Sequence, residues 1–393
     1  MNGTIYMPVG EVCSSISDTY REKKNMVTLI NTSDVLEGRV LNHERVPNSN
    51  LKGQFKKTFQ RDDILYSEIR PQNRRFAYVD FSPIDYIAST KLMVIRAKKD
   101  VVSPKYLYYF LKNSSTVAEL QLLAETRSGT FPQITFSEVA NLTIPVPSLA
   151  VQEVIVQTMQ CLEDKITCNE QINDNLEQQA QSYFQELFVD NADPEWTTGT
   201  ISDLGTVVGG STPSKAKPEY YTESGIAWIT PKDLSNNKSK FVSHGENDIT
   251  ELGLRNSSAS IMPEGTVLFS SRAPIGYIAI AAGEVTTNQG FKSVVPKPEI
   301  GTPFVYFFLK NTLPVIEGMA SGSTFKEVSG STMKNVPAVI PDAETLAKFS
   351  DFCAPIFAQQ RILEEQNQSL ATLRDNLLPK LMSGEIDVSA VQL

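Results

Sequence analysis

The strongest constraint on the fold is an internal repeat, whose two copies are offset by 194–203 residues. Residues 106–113 read YLYYFLKN, and residues 304–311 read FVYFFLKN. Earlier in each copy, Ile64–Ser67 matches Val267–Ser270, and an Arg and a Pro follow within five residues in both places. Self-similarity of this kind indicates a tandem duplication with diverged copies, so whatever fold one half adopts, the other should adopt too.

Each copy has the same order of predicted elements. Short runs of β-branched and aromatic residues, broken by Gly, Pro, Asn and Ser, predict strands and turns over about 1–147 and 195–341. A short helix is expected within each part, over about 103–113 and 302–311. Both helices open with a Ser or Thr followed by Pro, which is a typical start signal.

A long helix should follow each globular part, at about 148–188 and 342–383. Apolar residues recur there at alternating three- and four-residue steps, the pattern of a coiled-coil seam. Asn173 and Asn367 occupy equivalent seam positions, where they would either pair and fix the register or lie at a solvated edge. Pro355 predicts that the regular part of the second helix starts there or kinks. The seam residues are Val151, Ile155, Leu162, Ile166, Leu176, Ala180, Tyr183 and Leu187 in the first helix, and Phe349, Ile356, Leu363, Leu370, Leu377 and Leu381 in the second.

One such helix cannot bury its own apolar stripe. The two helices should therefore pair with each other, or else dimerise between chains. We predict an α+β fold in which two tandem mixed α/β domains are separated by two long helices that form an antiparallel coiled coil, with pseudo-twofold symmetry. The predicted segments are a globular domain at 1–147, a helix at 148–190, a globular domain at 191–341, and a helix with a C-terminal tail at 342–393.

The distribution of charge restricts the function. The 393 residues carry a net charge of −9, which excludes a uniformly basic nucleic-acid coat. Residues 1–150 nevertheless carry +4, whereas residues 151–190, with one lysine and eight acidic side chains, carry −7. This pattern fits a helical rod that stands off from nucleic acid while the globular domains touch it.

Candidate nucleic-acid contacts fall in both globular parts. In the first, seven cations lie within residues 52–75, with Phe55, Phe59 and Tyr66 between them; they are either phosphate and guanine contacts or a solvated basic surface. In the second, cations are sparser, and Asn and Gln side chains either address adenine or serve as turn residues. The cations of the first part are Lys52, Lys56, Lys57, Arg61, Arg70, Arg74 and Arg75, and the candidates of the second are Lys232, Arg272, Asn288, Gln289 and Lys292.

The sequence lacks the motifs of a catalyst. It contains no G-x-x-x-x-G-K-[ST] phosphate loop and no Asn-Pro-Pro-aromatic or Asp-Pro-Pro-aromatic segment. Two isolated histidines and four cysteines without a C-x-x-C pair argue against a metal site, so we expect no catalytic residue, no metal and no cofactor in this chain. We also expect a cytoplasmic protein, because the cysteine usage suits a reducing compartment and neither a signal peptide nor a membrane span is evident.

Three motifs resemble those of specificity subunits of type I restriction–modification systems, and the resemblance extends over essentially the whole chain. Asp63–Ser67 with Arg70-Pro71, and Gly265–Ser270 with Arg272, resemble the family's strand-and-loop motif. Gly209–Pro213 is similar to the G-G-T-P loop that opens many of its target recognition domains, whereas the first domain has Ser14–Ser17 at that place. Leu370–Ile386, which reads LATLRDNLLPKLMSGEI, resembles the family's C-terminal helix end.

The resemblance implies two target recognition domains that each read one half of a bipartite double-stranded DNA target. It further implies that two methyltransferase subunits dock on the paired helices to methylate adenine, and that restriction subunits can join for ATP-driven cleavage. S-adenosylmethionine, ATP and Mg would then belong to the partner subunits. For partner docking we expect a solvent-facing stripe of the helices at Glu163, Glu170, Glu177, Glu364 and Arg374.

The sequence is compatible with two other functions. One is a coiled-coil scaffold that bridges partner proteins without reading DNA, against which the basic, aromatic-containing segment 52–75 argues. The other is a stand-alone endonuclease, against which the missing metal and nucleotide motifs argue.

Overall fold

The computed structural model describes residues 4–22, 24–49, 53–126, 132–322 and 326–388. The chain divides into two compact units, residues 1–166 with 369–393 and residues 167–368. The division falls within both long helices, so each unit contains one globular part and a segment of each helix. Among the described residues, no helix has the length and apolarity that a bilayer crossing requires.

The first unit is built around two four-stranded sheets. One sheet has the order β2-β11-β8-β9, and the other has the order β6-β3-β10-β7, in which β3 and β10 are parallel. The strands are β1 Ile5–Pro8, β2 Cys13–Ile16, β3 Met26–Ile30, β4 Val35–Leu36, β5 Arg39–Val40, β6 Val46–Pro47, β7 Phe55–Lys57, β8 Ile64–Ser67, β9 Phe76–Tyr78, β10 Tyr86–Ser89, β11 Leu92–Ala97 and β12 Thr143–Val146.

Helices cover one face of the first of these sheets. They are α1 Val9–Val12, α2 Pro104–Lys112, α3 Ser114–Thr126, α4 Phe136–Asn141 and the start of the long helix α5 Leu149–Gln185. The repeated octapeptide forms most of α2, and its residues 106–111 are all buried. They pack with Tyr66 of β8 and Phe76 of β9 in one core, because six consecutive aromatic and leucine side chains cover the helix on all sides and are stable only in a protein interior.

The second unit repeats this plan. Its main sheet has the order β14-β22-β19-β20-β17, and a second sheet has the order β15-β18-β16-β21. The strands are β13 Thr197–Thr200, β14 Gly205–Gly209, β15 Tyr221–Thr222, β16 Ile226–Ile229, β17 Phe241–Val242, β18 Asn247–Ile249, β19 Val267–Ser271, β20 Ile275–Ala281, β21 Thr286–Thr287, β22 Lys292–Pro296 and β23 Pro337–Ile340. The helices are α6 Ile201–Leu204, α7 Pro231–Asn236, α8 Glu251–Arg255, α9 Thr302–Met319, α10 Gly330–Lys334 and α11 Ala343–Ser383.

The two main sheets confirm the duplication. The order β2-β11-β8-β9 of the first unit recurs as β14-β22-β19-β20 in the second, and the matched segments Ile64–Ser67 and Val267–Ser270 form the corresponding strands β8 and β19. The second copy of the octapeptide lies in α9, where Phe304 and Phe307 are buried against Phe349 of α11. The predicted tandem mixed α/β architecture with two long helices is therefore confirmed.

The long helices run close to the predicted lengths. The helix α5 continues into a π-helical turn, Glu186–Asp190, and α11 is continuous through Pro355. The expectation that the regular part of the second helix starts at Pro355 is therefore wrong. Packing of the neighbouring Cys353, Ile356 and Phe357 into the core outweighs the loss of one backbone hydrogen bond.

Within the second unit the two long helices are antiparallel and belong to one chain. The Nδ2 atom of Asn169 donates to the Oδ1 atom of Asn367 at 2.8 Å. Further along, Tyr183 of α5 packs on Phe352 of α11, with ring centroids 4.5 Å apart. A rise in residue number along α5 thus accompanies a fall along α11. The residue of α5 that hydrogen-bonds to Asn367 across the pair is Asn169, one helical turn before Asn173.

Candidate nucleic-acid interface

A cluster of charges lies at one end of the main sheet in the second unit. Arg272 follows β19 directly, and Lys292 opens the neighbouring strand β22. Both approach the carboxylate of Glu327, at 3.5 Å from the Arg272 Nη1 atom and 3.8 Å from the Lys292 Nζ atom. Burial lowers the pKa of Lys292, and Glu327 opposes that effect. Each cation can exchange this carboxylate for a phosphate or a guanine edge.

The Gly-rich segment Gly209–Pro213 borders this cluster. The hydroxyl of Thr212 is hydrogen-bonded to the side-chain amide of Gln289, and the backbone N–H of Ser211 donates to the carbonyl of Thr287 at 2.8 Å. A Cβ atom on Gly210 would lie only 2.0 Å from the carbonyl oxygen of Asn288, so the segment can approach this turn only with glycine at that place.

The turn 288–292 contains three of the five candidates of the second unit, and the fourth, Arg272, shares Glu327 with Lys292. The Oδ1 atom of Asn288 accepts from the N–H of Gly290 at 2.8 Å, which is a turn-forming contact. The Lys292 Nζ atom donates to the carbonyl of Gln289 at 3.3 Å. The fifth candidate, Lys232, is exposed in α7 and forms an ion pair with Glu246 at 2.6 Å. The first residue of that helix, Pro231, would contact a Cβ atom on Gly290, so the helix begins beside the turn.

The basic residues of the first unit do not form one cluster. Lys57 donates to the carbonyls of Thr90 and Leu92 at 3.1 and 2.8 Å, and Arg75 donates to those of Ser33 and Val35 at 3.0 and 3.4 Å. These two side chains brace backbone turns. Burial lowers the pKa of Lys57. Lys56 and Arg61 are exposed, and Lys52 lies outside the residues that the structure describes.

Arg70 and Arg74 flank a 3₁₀ turn, Pro71–Asn73, and both adopt left-handed backbone conformations, with φ of 44° and 52°. Such conformations are uncommon for residues other than glycine and cluster at functional sites. Arg70 is exposed, and the guanidinium of Arg74 donates to the hydroxyl of Ser114 at 2.9 Å. The turn therefore presents two arginines from one short, constrained loop.

The sequence did not point to the true counterpart of the Arg272 cluster. The backbone bridge between Arg272 and Glu327 corresponds to a bridge between Ile69 and Gln133 in the first unit. There the Lys91 Nζ atom lies 3.4 Å from Glu68 and 3.3 Å from Gln133. Lys91, Glu68 and Gln133 were missed because the two copies carry different side chains at these positions. The two backbone bridges show that the sites are equivalent.

The residues expected to form a solvent-facing docking stripe lie differently. Glu163, Glu177, Glu364 and Arg374 are half-buried, and only Glu170 is exposed. Glu163 accepts from Tyr109 and Lys112 of α2, and the Arg374 Nε atom donates to Asp375 at 2.8 Å. The expectation of a solvent-facing stripe is therefore wrong for these four, because contacts inside their own unit hold them.

In the second unit, Glu177 and Glu364 surround a buried lysine. Lys240 is 7% exposed and precedes the edge strand β17. Its Nζ atom donates to Glu177 at 2.7 Å and to Gln360 at 2.8 Å. The backbone N–H groups of Lys240 and Phe241 donate to the carboxylate of Glu364 at 2.7 and 3.0 Å.

The charges in this cluster compensate one another. Burial disfavours ionised Glu177, but Lys240 and Lys310 outweigh that effect and hold its pKa at about 2. Burial lowers the pKa of Lys240 to about 8, with Glu177 opposing. Burial raises the pKa of Glu364, while its two backbone donors oppose the rise. In the part of the chain that the structure describes, no cluster of His, Cys, Asp or Glu could hold a metal ion.

Comparisons with known proteins agree with this geometry. The family model for the type I restriction modification DNA specificity domain matches twice, over residues 6–178 and 194–373. The HindI specificity subunit of Haemophilus influenzae is 30% identical, over 92% of this chain and 94% of that protein. The MjaIX specificity subunit of Methanocaldococcus jannaschii is 39% identical over a shorter stretch, 47% of this chain and 45% of that protein.

Solved structures support the same fold. The S subunit of a type I restriction-modification system from M. genitalium superposes with a TM-score of 0.55 at 17% identity, covering 97% of this chain and 96% of that one. The two matches of the family model correspond to the two copies of the internal repeat. This chain belongs to the family of type I restriction–modification specificity subunits and carries two DNA specificity domains in tandem.

Proposed function

We propose that each globular domain reads one half of a bipartite DNA target and that the long helices act as the spacer between the two readers. The observation that carries this proposal is the pair of equivalent sheet ends with unlike side chains. The first presents Lys91 with Gln133, and the second presents Arg272 and Lys292 with Glu327. One duplicated scaffold with two different sets of side chains suits a target with two different halves.

Base and phosphate contacts are proposed for the residues at and near these sheet ends. In the second domain they are Arg272, Gln289 and Lys292, with Asn288 shaping the turn and Lys232 beside it. In the first domain we propose DNA contacts for the turn with Arg70 and Arg74, which follows β8. We propose contacts also for two exposed residues away from that sheet end, Lys56 in β7 and Arg61 before β8. The side chains of Lys57 and Arg75 donate to backbone carbonyls. We propose that they contribute to DNA binding indirectly, by stabilising the backbone turns that these carbonyls belong to.

We propose that the chain has no catalytic role and that its partners supply the chemistry. Two methyltransferase subunits would dock on the exposed faces of the long helices, for example around Glu170, and carry S-adenosylmethionine. Restriction subunits would bring ATP and Mg. The acidic surface of the first long helix favours contact with protein over contact with phosphate. We place this assembly in the cytoplasm.

A binding selection tests the proposed readout. The chain, purified together with its methyltransferase subunit, would be mixed with random-sequence duplexes at 150 mM salt, and the bound DNA would be sequenced. We expect enrichment of one two-part motif with a fixed gap. The variant Arg272→Gln with Lys292→Gln should relax only one part of that motif, because direct contacts specify individual bases. Recovery of DNA without any shared motif would contradict the proposal and favour a scaffold.

A further inference from the structure

The first long helix contacts both copies of the aromatic octapeptide through glutamate side chains. In the first unit, Glu163 of α5 accepts from the Tyr109 hydroxyl at 2.8 Å and pairs with Lys112. The Lys112 side chain is only 14% exposed, and burial lowers its pKa. Both donors belong to α2, which packs on the main sheet of the first domain. Glu163 therefore ties that domain to the helix.

Glu177 does the same in the second unit. It accepts from the Tyr306 hydroxyl at 3.1 Å and from the Lys310 Nζ atom at 2.5 Å, both in α9. It also accepts from Lys240 at 2.7 Å, at the edge of the main sheet. The Lys240 ammonium lies 3.5 Å from the centroid of the Phe357 ring of α11, a cation–π contact. Edge strand, aromatic helix and both long helices thus meet at one carboxylate.

The two contacts share a lysine position of the repeat but use two different glutamates of α5. Lys112 and Lys310 are the same position of the repeated octapeptide, and Glu163 and Glu177 are 14 residues, or two heptads, apart on α5. The tyrosines differ by one position, since Tyr109 aligns with Phe307 whereas Tyr306 aligns with Tyr108. Among the described residues, the hydrogen-bond partners of Glu163 belong to the first unit. Those of Glu177, which include Gln360 of α11, belong to the second unit, so the two attachments are separate.

We propose that Glu163 and Glu177 are positioning residues, each of which sets the discrimination of one half of the DNA target. This inference rests on the function proposed above. Base-edge hydrogen bonds require their donors to be held within a few tenths of an ångström. A domain that can shift on its helix loses that accuracy at its own half of the target. The other domain, held by the other glutamate, keeps it.

The test uses the complex with the methyltransferase subunit and four variants. Methylation rates are measured on the target duplex and on duplexes with one base pair changed in either half. Glu177→Gln should reduce the penalty for a changed base pair about tenfold in the half read by the second domain and leave the other half unaltered. Glu163→Gln should do the converse. Lys310→Gln removes the other partner of Glu177 and should have the same effect as Glu177→Gln. The Lys310 side chain is 35% exposed, and in this variant the buried Lys240 keeps its carboxylate partner.

Glu153→Gln is the matched control, because Glu153 is an exposed glutamate of the same helix that accepts only from Gln157, one turn away, in the described contacts. This variant should leave the penalty for a changed base pair unaltered in both halves of the target. Two results would overturn the positioning role, provided that the wild-type complex discriminates. One is that Glu163→Gln and Glu177→Gln each reduce the penalty for a changed base pair equally in both halves. The other is that a folded variant shows the same penalties as the wild type. A wild-type complex that discriminates in neither half would overturn the proposed function as well.

Discussion

Lys240 shows how much a single buried side chain can depend on its surroundings. Its ammonium is almost fully removed from water and is stabilised by Glu177, Gln360 and the face of Phe357. Breaking a buried pair from one side is usually costly, because the remaining charge stays buried. In this cluster Lys310 still faces Glu177 when Lys240 is removed, so the cost should be moderated.

We expect Lys240→Met to lower the free energy of unfolding of the second unit by about 2 kcal/mol. The chain has two tryptophans, Trp196 and Trp228, and both lie in that unit, so the fluorescence of a urea titration reports on it. The control is Lys238→Met, which replaces an exposed lysine two residues earlier. Equal shifts of the midpoint in the two variants would contradict the structural role of the ammonium.

The lowered pKa of Glu177 implies that the stability of the second unit depends on pH in the acid range. Its value of about 2 in the folded chain lies below its ordinary value of 4.5. The ionised carboxylate therefore stabilises the second unit fully above about pH 4.5, and this contribution, up to about 3 kcal/mol, is lost as the pH falls from 4.5 towards 2. Glu177→Gln should be less stable than the wild type at pH 7 and should show a shallower loss of stability in acid. Tryptophan fluorescence during urea unfolding at pH 3, 4, 5 and 7 measures the difference. If the stability of the wild type and of Glu177→Gln fell by the same amount between pH 7 and pH 3, ionised Glu177 would not be the cause of the acid sensitivity.

Single residues were the least predictable level. Arg272, Gln289 and Lys292 could be named as candidates because they are polar residues in a turn-rich stretch beside a repeated strand. The pairing of Lys240 with Glu177 could not, since 63 residues separate them and only the folded chain brings them together. The same holds for Lys91 and Gln133, whose counterparts in the second copy have other side chains.

At the scale of elements, the antiparallel pairing of α5 and α11 in the second unit contains a polar layer. Asn169 is fully buried, and its amide donates to Asn367 while its own Oδ1 atom has no partner among the described residues. An asparagine in a coiled-coil core fixes the register at a cost in stability. The heptad pattern predicted both helices and their approximate ends. It left open whether Asn173 and Asn367 pair or lie at a solvated edge, and it did not indicate that Asn169 lies opposite Asn367.

Replacing both members of this layer should stabilise the helix pair. We expect Asn169→Leu with Asn367→Leu to raise the free energy of unfolding of the second unit by about 1 kcal/mol, because a buried amide oxygen without a partner is removed. Asn169→Leu alone should raise the free energy of unfolding by less, because the Oδ1 atom of Asn367 loses the donor Asn169. Urea unfolding followed by tryptophan fluorescence checks both variants. A double variant less stable than the wild type would show that the layer is stabilising in itself.

At the scale of the whole molecule, the duplication was readable from the sequence because it preserved the octapeptide and the β8 and β19 strands. It implied that the main sheet would occur twice, and the strand orders β2-β11-β8-β9 and β14-β22-β19-β20 agree. The edge strand β17 of the second copy is two residues long, and the first copy has a single parallel bridge, Gly38 to Ala77, at the corresponding edge. So short a strand carries no pattern that sequence analysis could detect. It forms through its neighbours, chiefly β20 and Glu364.

The net charge leads to a prediction about DNA binding by the isolated chain. With −9 overall and separate, small cationic clusters, few phosphates can be neutralised at once. We expect weak binding at physiological salt, in the micromolar range or weaker, and a large gain when the methyltransferase subunit is present. Fluorescence anisotropy with a labelled duplex at 50, 100 and 150 mM salt measures both. Tight binding by the chain alone at 150 mM would contradict this expectation.

A base-resolution map of N6-methyladenine tests directly whether this chain selects a two-part DNA target. The methyltransferase subunit would be expressed, with and without this chain, in a bacterial host that lacks adenine methylation of its own. We expect one split motif with a fixed gap to become methylated only when the chain is present, and Arg272→Gln with Lys292→Gln to alter one half of that motif. A map that is identical with and without the chain, with both proteins present and folded, would contradict this expectation.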